Sequence, residues 1–305
     1  MISEVRDAAT EWAFTIGWRL TKRMPEAAGR AVFQAAADTM WRRSGDSVQQ
    51  LERNLSRIDP TWSRADLRDL SRQGMRSYLR YWFEAFRLPS WSPARISGTF
   101  DLAGKELMDE AVRSGTGAVM VPCHMANWDH AGAWGCLRFG GVTTVAERLR
   151  PEGLFNQFLA YRQTLGMDVL AIGEPDIVRS LVHKVKEGRI LALLGDRDIS
   201  RNGVVVDLFG EPASLPGGPA LIGLLSGRPV YPVTMWFDGD RTTGQVYPAV
   251  TAPSELSRSD QVRAMTQQIA SAFEDGIRAH PTDWHMLQKV WLADLDPTRR
   301  PIPAS

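Results

Sequence analysis

With 305 residues, 44% of them hydrophobic, the chain is long enough to bury a sizeable core. A formal net charge of +1 and a charged fraction of 23% give no reason to invoke nucleic acid or an acidic tail. Two cysteines, Cys123 and Cys136, can build neither a disulfide framework nor a paired-cysteine zinc site, which fits a reducing compartment.

The first residues, 1–7, lack the basic start and apolar middle of a secretory signal. Val5, Ala9, Trp12, Ile16 and Leu20 then fall on one helical stripe, widened by Phe14 and Trp18, while Arg6, Glu11, Arg19, Lys22 and Arg23 supply charge. Such a stripe either lies in a membrane interface or buries the core of a helical layer. The stretches 41–43 and 81–87 repeat the mixture of aromatic residues with arginine, and eleven tryptophans suit the headgroup zone. The longest uncharged stretch, 212–227, is broken by proline and glycine and falls short of the roughly 20 apolar residues of a spanning helix. The first hundred residues therefore read as a helical, amphipathic region.

From Gly115 onward the pattern changes to short apolar runs alternating with helical segments. Segments 117–121, 142–146, 169–172, 190–194, 204–209, 230–237 and 245–250 are predicted strands; 151–165, 176–187, 219–225 and 260–279 are predicted helices. The expected fold is α/β: a central, mostly parallel sheet of about seven strands flanked by helices. A single domain over 1–305 is expected, with 1–100 as its membrane-associating part and 101–295 as its catalytic core. Gly115-Thr116-Gly117 precedes a strand and has Met120 where a dinucleotide fingerprint needs its third glycine, so nicotinamide is not expected. The Pro216-Gly217-Gly218-Pro219 turn offers either backbone donors to a phosphate or close packing of chain segments.

The stretch His124-Met125-Ala126-Asn127-Trp128-Asp129-His130 stands where the 117–121 strand ends and a helix begins. Open α/β sheets place ligands at such an edge. His124 can take a proton from a hydroxyl near neutral pH, and Asp129, folding back across the turn, would hold the other ring nitrogen. No Gly-x-Ser-x-Gly accompanies the pair, so the substrate would supply the hydroxyl in an acyl transfer to an alcohol. A metal site from His124, Asp129 and His130 is the alternative, without the spacing of known zinc motifs to support it. Cys123 reads as a small buried hydrophobe.

His-x-x-Asn-Trp-Asp resembles the signature of the lipid A biosynthesis (lauroyl/myristoyl) acyltransferases and of actinobacterial phosphatidylinositol mannoside acyltransferases, a branch of the lysophospholipid acyltransferase-like superfamily. Residues 195–198 with 203–210, 215–220 with 227–233, and 280–285 with Trp291 are similar to later blocks of the same family, in order over roughly 70–295. Asp196-Arg197-Asp198, where the lipid A branch commonly carries Asp-Gln-Asp, favours the actinobacterial lipid branch.

The resemblance implies a fatty acyl chain passed from acyl-CoA, as co-substrate and without a further cofactor or metal, to a mannose hydroxyl of a phosphatidylinositol mannoside. It implies a peripheral, monotopic protein on the inner face of the cytoplasmic membrane. Glu147 would line the acceptor pocket, with surface salt bridging as its alternative. Arg162 would lie near the reaction centre, on an oxyanion or a phosphate, with a solvated helix arginine as its alternative. Asp196 and Asp198, at the end of another strand, either bind the acceptor, support His124, or cap their own loop. Another lipid acceptor, an acyl carrier protein donor, or a non-catalytic lipid-binding protein are the competing readings.

Overall fold

The computed structural model describes residues 17–18, 20–148, 151–199 and 202–296. Most of the first amphipathic stripe, residues 1–16 and 19, lies outside them. Residues 17–18 and 20–23 are helical, and three further helices follow: α1 (Glu26–Arg43), α2 (Asp46–Ile58) and α3 (Arg64–Arg87). A capping box starts α3, with the Ser63 hydroxyl on the Asp66 amide and the Asp66 carboxylate on the Ser63 amide. Its 24 residues run from this cap past Tyr81, which meets Trp128 and Asp129 at the start of a later helix. Gly29 lets α1 and α3 close together, because a Cβ there would stand 2.5 Å from the Phe83 ring.

The α/β part then runs α4 (Pro93–Gly98), β1 (Phe100–Ala103), α5 (Glu106–Arg113), β2 (Ala118–Pro122), α6 (Trp128–Phe139), β3 (Val142–Ala146) and α7 (Glu152–Thr164). It continues β4 (Met167–Ala171), α8 (Ile177–Lys186), β5 (Ile190–Ala192), β6 (Val204–Leu208), β7 (Glu211–Leu215), α9 (Gly218–Ser226), β8 (Val230–Asp238), β9 (Arg241–Val246) and α10 (Arg258–Ala279). The order across the seven-stranded sheet is β1-β9-β8-β2-β5-β3-β4, every neighbouring pair parallel except β8 with β9. The expected fold class holds.

Membership of the sheet differs from the sequence reading in two respects. The predicted 204–209 strand forms as β6, but it pairs with β7 in a separate antiparallel hairpin, and β1 takes its place in the sheet. The last predicted strand, 245–250, forms earlier, over Arg241–Val246, because the turn at Gly239 and Asp240 folds that polar segment back along β8.

Alternation along β2 separates two faces. Met120 and Pro122 face a cavity under α6, whereas Val121 packs at Gly195, beside Phe273 of α10. Gly276 of α10 lies so close to β8 that a Cβ would meet Thr234 at 2.4 Å. A Cβ on Gly217 would meet Val204 at 2.8 Å and Val262 at 3.0 Å, which supports the close-packing reading of that turn. Tyr81 and Phe83 are buried, and Trp18 donates its indole N–H to the Phe86 carbonyl at 2.9 Å, so these aromatics build the helical layer. Among the described residues no helix is long and apolar enough to cross a membrane.

Candidate active site

The register of β2 and β5 creates the site. Met120 pairs with Ala192. The ladder continues past the strand ends, with Leu193 N–H on the Met120 carbonyl and Gly195 N–H on that of Pro122, both at 2.9 Å. His124 and Asp196 each follow that Met120–Ala192 pair by four positions and so arrive abreast. Asp196 Oδ1 lies 2.6 Å from His124 Nδ1. Its other oxygen accepts the His124 backbone N–H and the Trp284 indole N–H, each at 2.9 Å.

Burial by itself would push the Asp196 carboxyl up. The neighbouring His124 and the hydrogen bonds from His124 and Trp284 outweigh it and hold the group below its usual range. Asp196 is 2% exposed, whereas the His124 side chain keeps 23% of its surface open. The result is an imidazole fixed at Nδ1 by a buried carboxylate and presented to the outside.

The turn after His124 is held from several directions. Ala126 adopts φ +47°, a left-handed conformation costly for a residue with a side chain. The 283–285 segment secures it: Ala126 N–H donates to the Asp283 carbonyl at 3.0 Å, and His285 N–H donates to the His124 carbonyl at 2.8 Å. Asn127 caps α6 by accepting the His130 amide at 2.9 Å, and its own amide group donates to Glu84 at 3.0 Å. Trp128 meets the His124 ring edge-on at 5.1 Å and stacks on Tyr81 at 3.8 Å.

Asp129 does not fold back onto His124 as the spacing predicts. From the first turn of α6 it points into the interior, where its Oδ1 accepts Arg162 Nε at 2.8 Å and its Oδ2 accepts the Tyr81 hydroxyl at 2.9 Å. A carboxylate with a 2% exposed side chain needs such compensation, and the parallel pairing of β2 with β5 has already given His124 another acid. Burial works against the charge on Arg162, but the facing Asp129 more than restores it and holds the guanidinium above its ordinary pKa. Burial, reinforced by Asp129, also pushes the Tyr81 phenol well up.

The other sequence candidates separate clearly. Asp198 ties its own loop, accepting the Gly203 amide at 2.9 Å and the Ser214 hydroxyl at 3.1 Å. Glu147 leaves the end of β3 at the same edge as His124, half-exposed and 3.9 Å from Arg197. His130 turns into the core, with Nε2 3.0 Å from the Ile96 carbonyl and its pKa lowered chiefly by burial. Cys123 is buried, and burial raises its thiol pKa well above the usual value. Among the described residues no group of three His, Cys, Asp or Glu is arranged for a metal ion.

An apolar cavity runs beneath α6, between the helix and the sheet. Met120, Pro122, Trp134, Phe139, Met167 and Met235 line it, and Trp128, Asp129 and Arg162 form the wall toward His124. A histidine oriented by a carboxylate beside an apolar slot is chemically equipped to deprotonate a hydroxyl next to a bound hydrocarbon chain. Tyr81, Trp284 and His285 were not singled out from sequence as parts of this site. The similarity of residues 280–285 to a later block of the family is the one signal in the sequence for Trp284.

A family model described as bacterial lipid A biosynthesis acyltransferase matches residues 3–293. The chain is 40% identical over 302 residues to a phosphatidylinositol mannoside acyltransferase of Mycobacterium tuberculosis (strain CDC 1551 / Oshkosh), covering 98% of this chain and 93% of the relative. It is 40% identical over 295 residues to the protein of that name from Mycolicibacterium smegmatis (strain ATCC 700084 / mc(2)155), covering 95% and 94%.

Proposed function

The chain belongs to the bacterial lipid A biosynthesis acyltransferase family, and from that premise we propose that it moves a fatty acyl chain from acyl-CoA to a mannose hydroxyl of a phosphatidylinositol mannoside. The single observation that carries the chemistry is the 2.6 Å contact between His124 Nδ1 and Asp196 Oδ1. With Nδ1 held, Nε2 is the nitrogen that takes a substrate proton.

In the proposed reaction the acyl chain occupies the apolar cavity under α6, with the thioester carbonyl beside His124. The acceptor hydroxyl loses its proton to His124 as its oxygen attacks that carbonyl, and Asp196 stabilises the imidazolium. The tetrahedral intermediate collapses by breaking the carbon–sulfur bond, and the imidazolium returns the proton to the CoA thiolate. An ester and free CoA thiol are the products. Arg162 has Nε committed to Asp129, which leaves its terminal nitrogens to serve a developing oxyanion. Glu147, half-exposed at the mouth, is the acid suited to accept hydrogen bonds from the sugar. The acceptor is a membrane lipid, so the protein works as a peripheral protein at the inner face of the cytoplasmic membrane, and acyl-CoA is a co-substrate rather than a cofactor.

The test is thiol release from palmitoyl-CoA with phosphatidylinositol mannoside acceptors, with lipid products identified by mass. Wild type gives acceptor-dependent release and a gain of one acyl group, and His124→Ala loses about 10²–10⁴ of the rate. Release without any acceptor would point to a thioesterase and refute the transfer.

A further inference from the structure

A second cavity, of about 430 Å³, opens between α1, α3 and the segment that follows α10. It shares no lining residue with the apolar cavity under α6. Its wall carries three arginines, Arg30, Arg76 and Arg80, against one acid, Asp283.

The partners of these arginines match them in number but leave one donor over. Arg76 and Arg72 both make paired hydrogen bonds to the one carboxylate of Asp38, at 2.7–3.1 Å. Arg80 gives Nε to Glu84 at 2.7 Å and Nη1 to the Gly239 carbonyl at 2.8 Å, while Nη2 is buried without a hydrogen-bond partner. Arg30 reaches Glu26 at 3.0 Å and the exposed Asp240 at 3.3 Å. Asp283 adds a further acid to the wall but takes no hydrogen bond from the Arg80 Nη2. Its oxygens accept the Ser77 hydroxyl at 2.5 Å and the Phe237 amide at 3.0 Å instead. The exposed side chain of Gln34 adds a neutral polar group at the rim.

We propose that this arginine cleft is a second binding site, separate from the acyl-transfer site, for a phosphate group. Guanidinium forks match phosphate oxygens in geometry as well as charge, which a neutral sugar would not use. The phosphate has two sources, a soluble phosphate ester or the headgroup of an anionic phospholipid, and the cleft recognises what they share. A ligand here would also touch the frame of the catalytic turn, because Asp283 lines the cleft while its carbonyl holds the Ala126 amide.

The experiment uses the full chain and three substitutions: Arg30→Gln, Gln34→Glu, and Arg42→Gln as a control on the same helix but outside the cleft. Inorganic phosphate binding is measured by calorimetry. Sedimentation with phosphatidylcholine vesicles, with and without phosphatidylglycerol, measures the lipid arm. Arg30→Gln weakens binding roughly tenfold through loss of one charge-assisted hydrogen bond, and Gln34→Glu roughly as much by setting a like charge beside the anion, while Arg42→Gln leaves it within twofold.

Saturable binding of inorganic phosphate with this pattern assigns the site to a soluble ester. The same pattern seen only with phosphatidylglycerol vesicles assigns it to a lipid headgroup. If neither probe binds, or if Arg42→Gln weakens binding as much as Arg30→Gln does, the cleft is not a phosphate site. Thermal melting of each variant separates these outcomes from misfolding. None of the three residues belongs to the acyl-transfer site, so failure here leaves the proposed reaction standing.

Discussion

The two ends of the 124–129 turn meet different acids and bases. At one end His124 is partly open, and a buried carboxylate from the neighbouring strand holds it through Nδ1. At the other, Asp129 is enclosed, locked between Arg162 and the Tyr81 hydroxyl. The first arrangement leaves a ring nitrogen for a substrate, and the second uses its acid entirely on the protein. A histidine and an aspartate four residues apart thus need not be a pair. Here one serves the proposed chemistry, and the other fixes α6 and the wall of the apolar cavity against α3 and α7.

The strongest way to break this comparison is to neutralise each acid in turn. Asp196→Asn cannot stabilise the imidazolium, so acyl transfer should fall about 10²–10⁴-fold in kcat, with little change in KM for acyl-CoA. The buried amide keeps its size, and thermal melting should show a folded protein. Equal kcat in wild type and Asp196→Asn would remove Asp196 from the mechanism.

Asp129→Ala should act the other way round. It leaves the Arg162 guanidinium buried without its counter-charge, a change that costs about 3–5 kcal/mol in stability. Urea unfolding reads the loss directly. Adding Arg162→Met removes the stranded charge and should recover more than half of the lost stability; turnover is compared in Asp129→Ala alone, which keeps Arg162 and should fall less per folded molecule than Asp196→Asn. A stable Asp129→Ala protein whose kcat drops as far as that of Asp196→Asn would mean the two ends are not distinct.

How much of this was legible in the sequence follows from how each contact is made. The strand, turn and helix around His124 are local, and the apolar run 117–121 with Asn127 behind it was enough to read them. The His124–Asp196 contact spans 72 positions and depends on which strands are neighbours and in what register. Spacing along the chain favours the nearer acid, Asp129, and has no access to that register. Asp196 and Asp198 were legible as strand-end acids, but only the structure separates the one beside His124 from the one that ties its loop. The strand β1 is four residues long, and β7 contains Pro212, so neither offered a periodic apolar run. The aromatics of α3 read equally well as membrane contacts or as core. In Tyr81 and Phe83 the core reading prevails, since α3 passes under the 124–129 turn rather than over the surface.

His285 sharpens the comparison because it touches both ends. Its backbone N–H holds the His124 carbonyl, while its ring packs among Tyr78, Tyr81, Trp128 and Phe237, with Nε2 2.8 Å from the Ser77 hydroxyl. Burial, with His124 nearby adding to it and Asp196 opposing, lowers its pKa from 6.5 to about 3. The unfolded chain therefore takes up a proton below pH 6.5 that the folded protein refuses until about pH 3. His285 stabilises fully above pH 6.5, and that contribution is lost progressively as pH falls toward 3. Asp283, raised by burial, works with the opposite sign at the lower end of this window, so the signal to read is a difference. Urea unfolding of wild type and His285→Gln at a series of pH values should show curves converging as pH falls from 6.5, with a relative slope approaching one proton. Parallel curves would mean that the imidazole takes its proton in the folded state as readily as in the unfolded one. The space between the two ends of the turn would then be wetter than its aromatic walls imply.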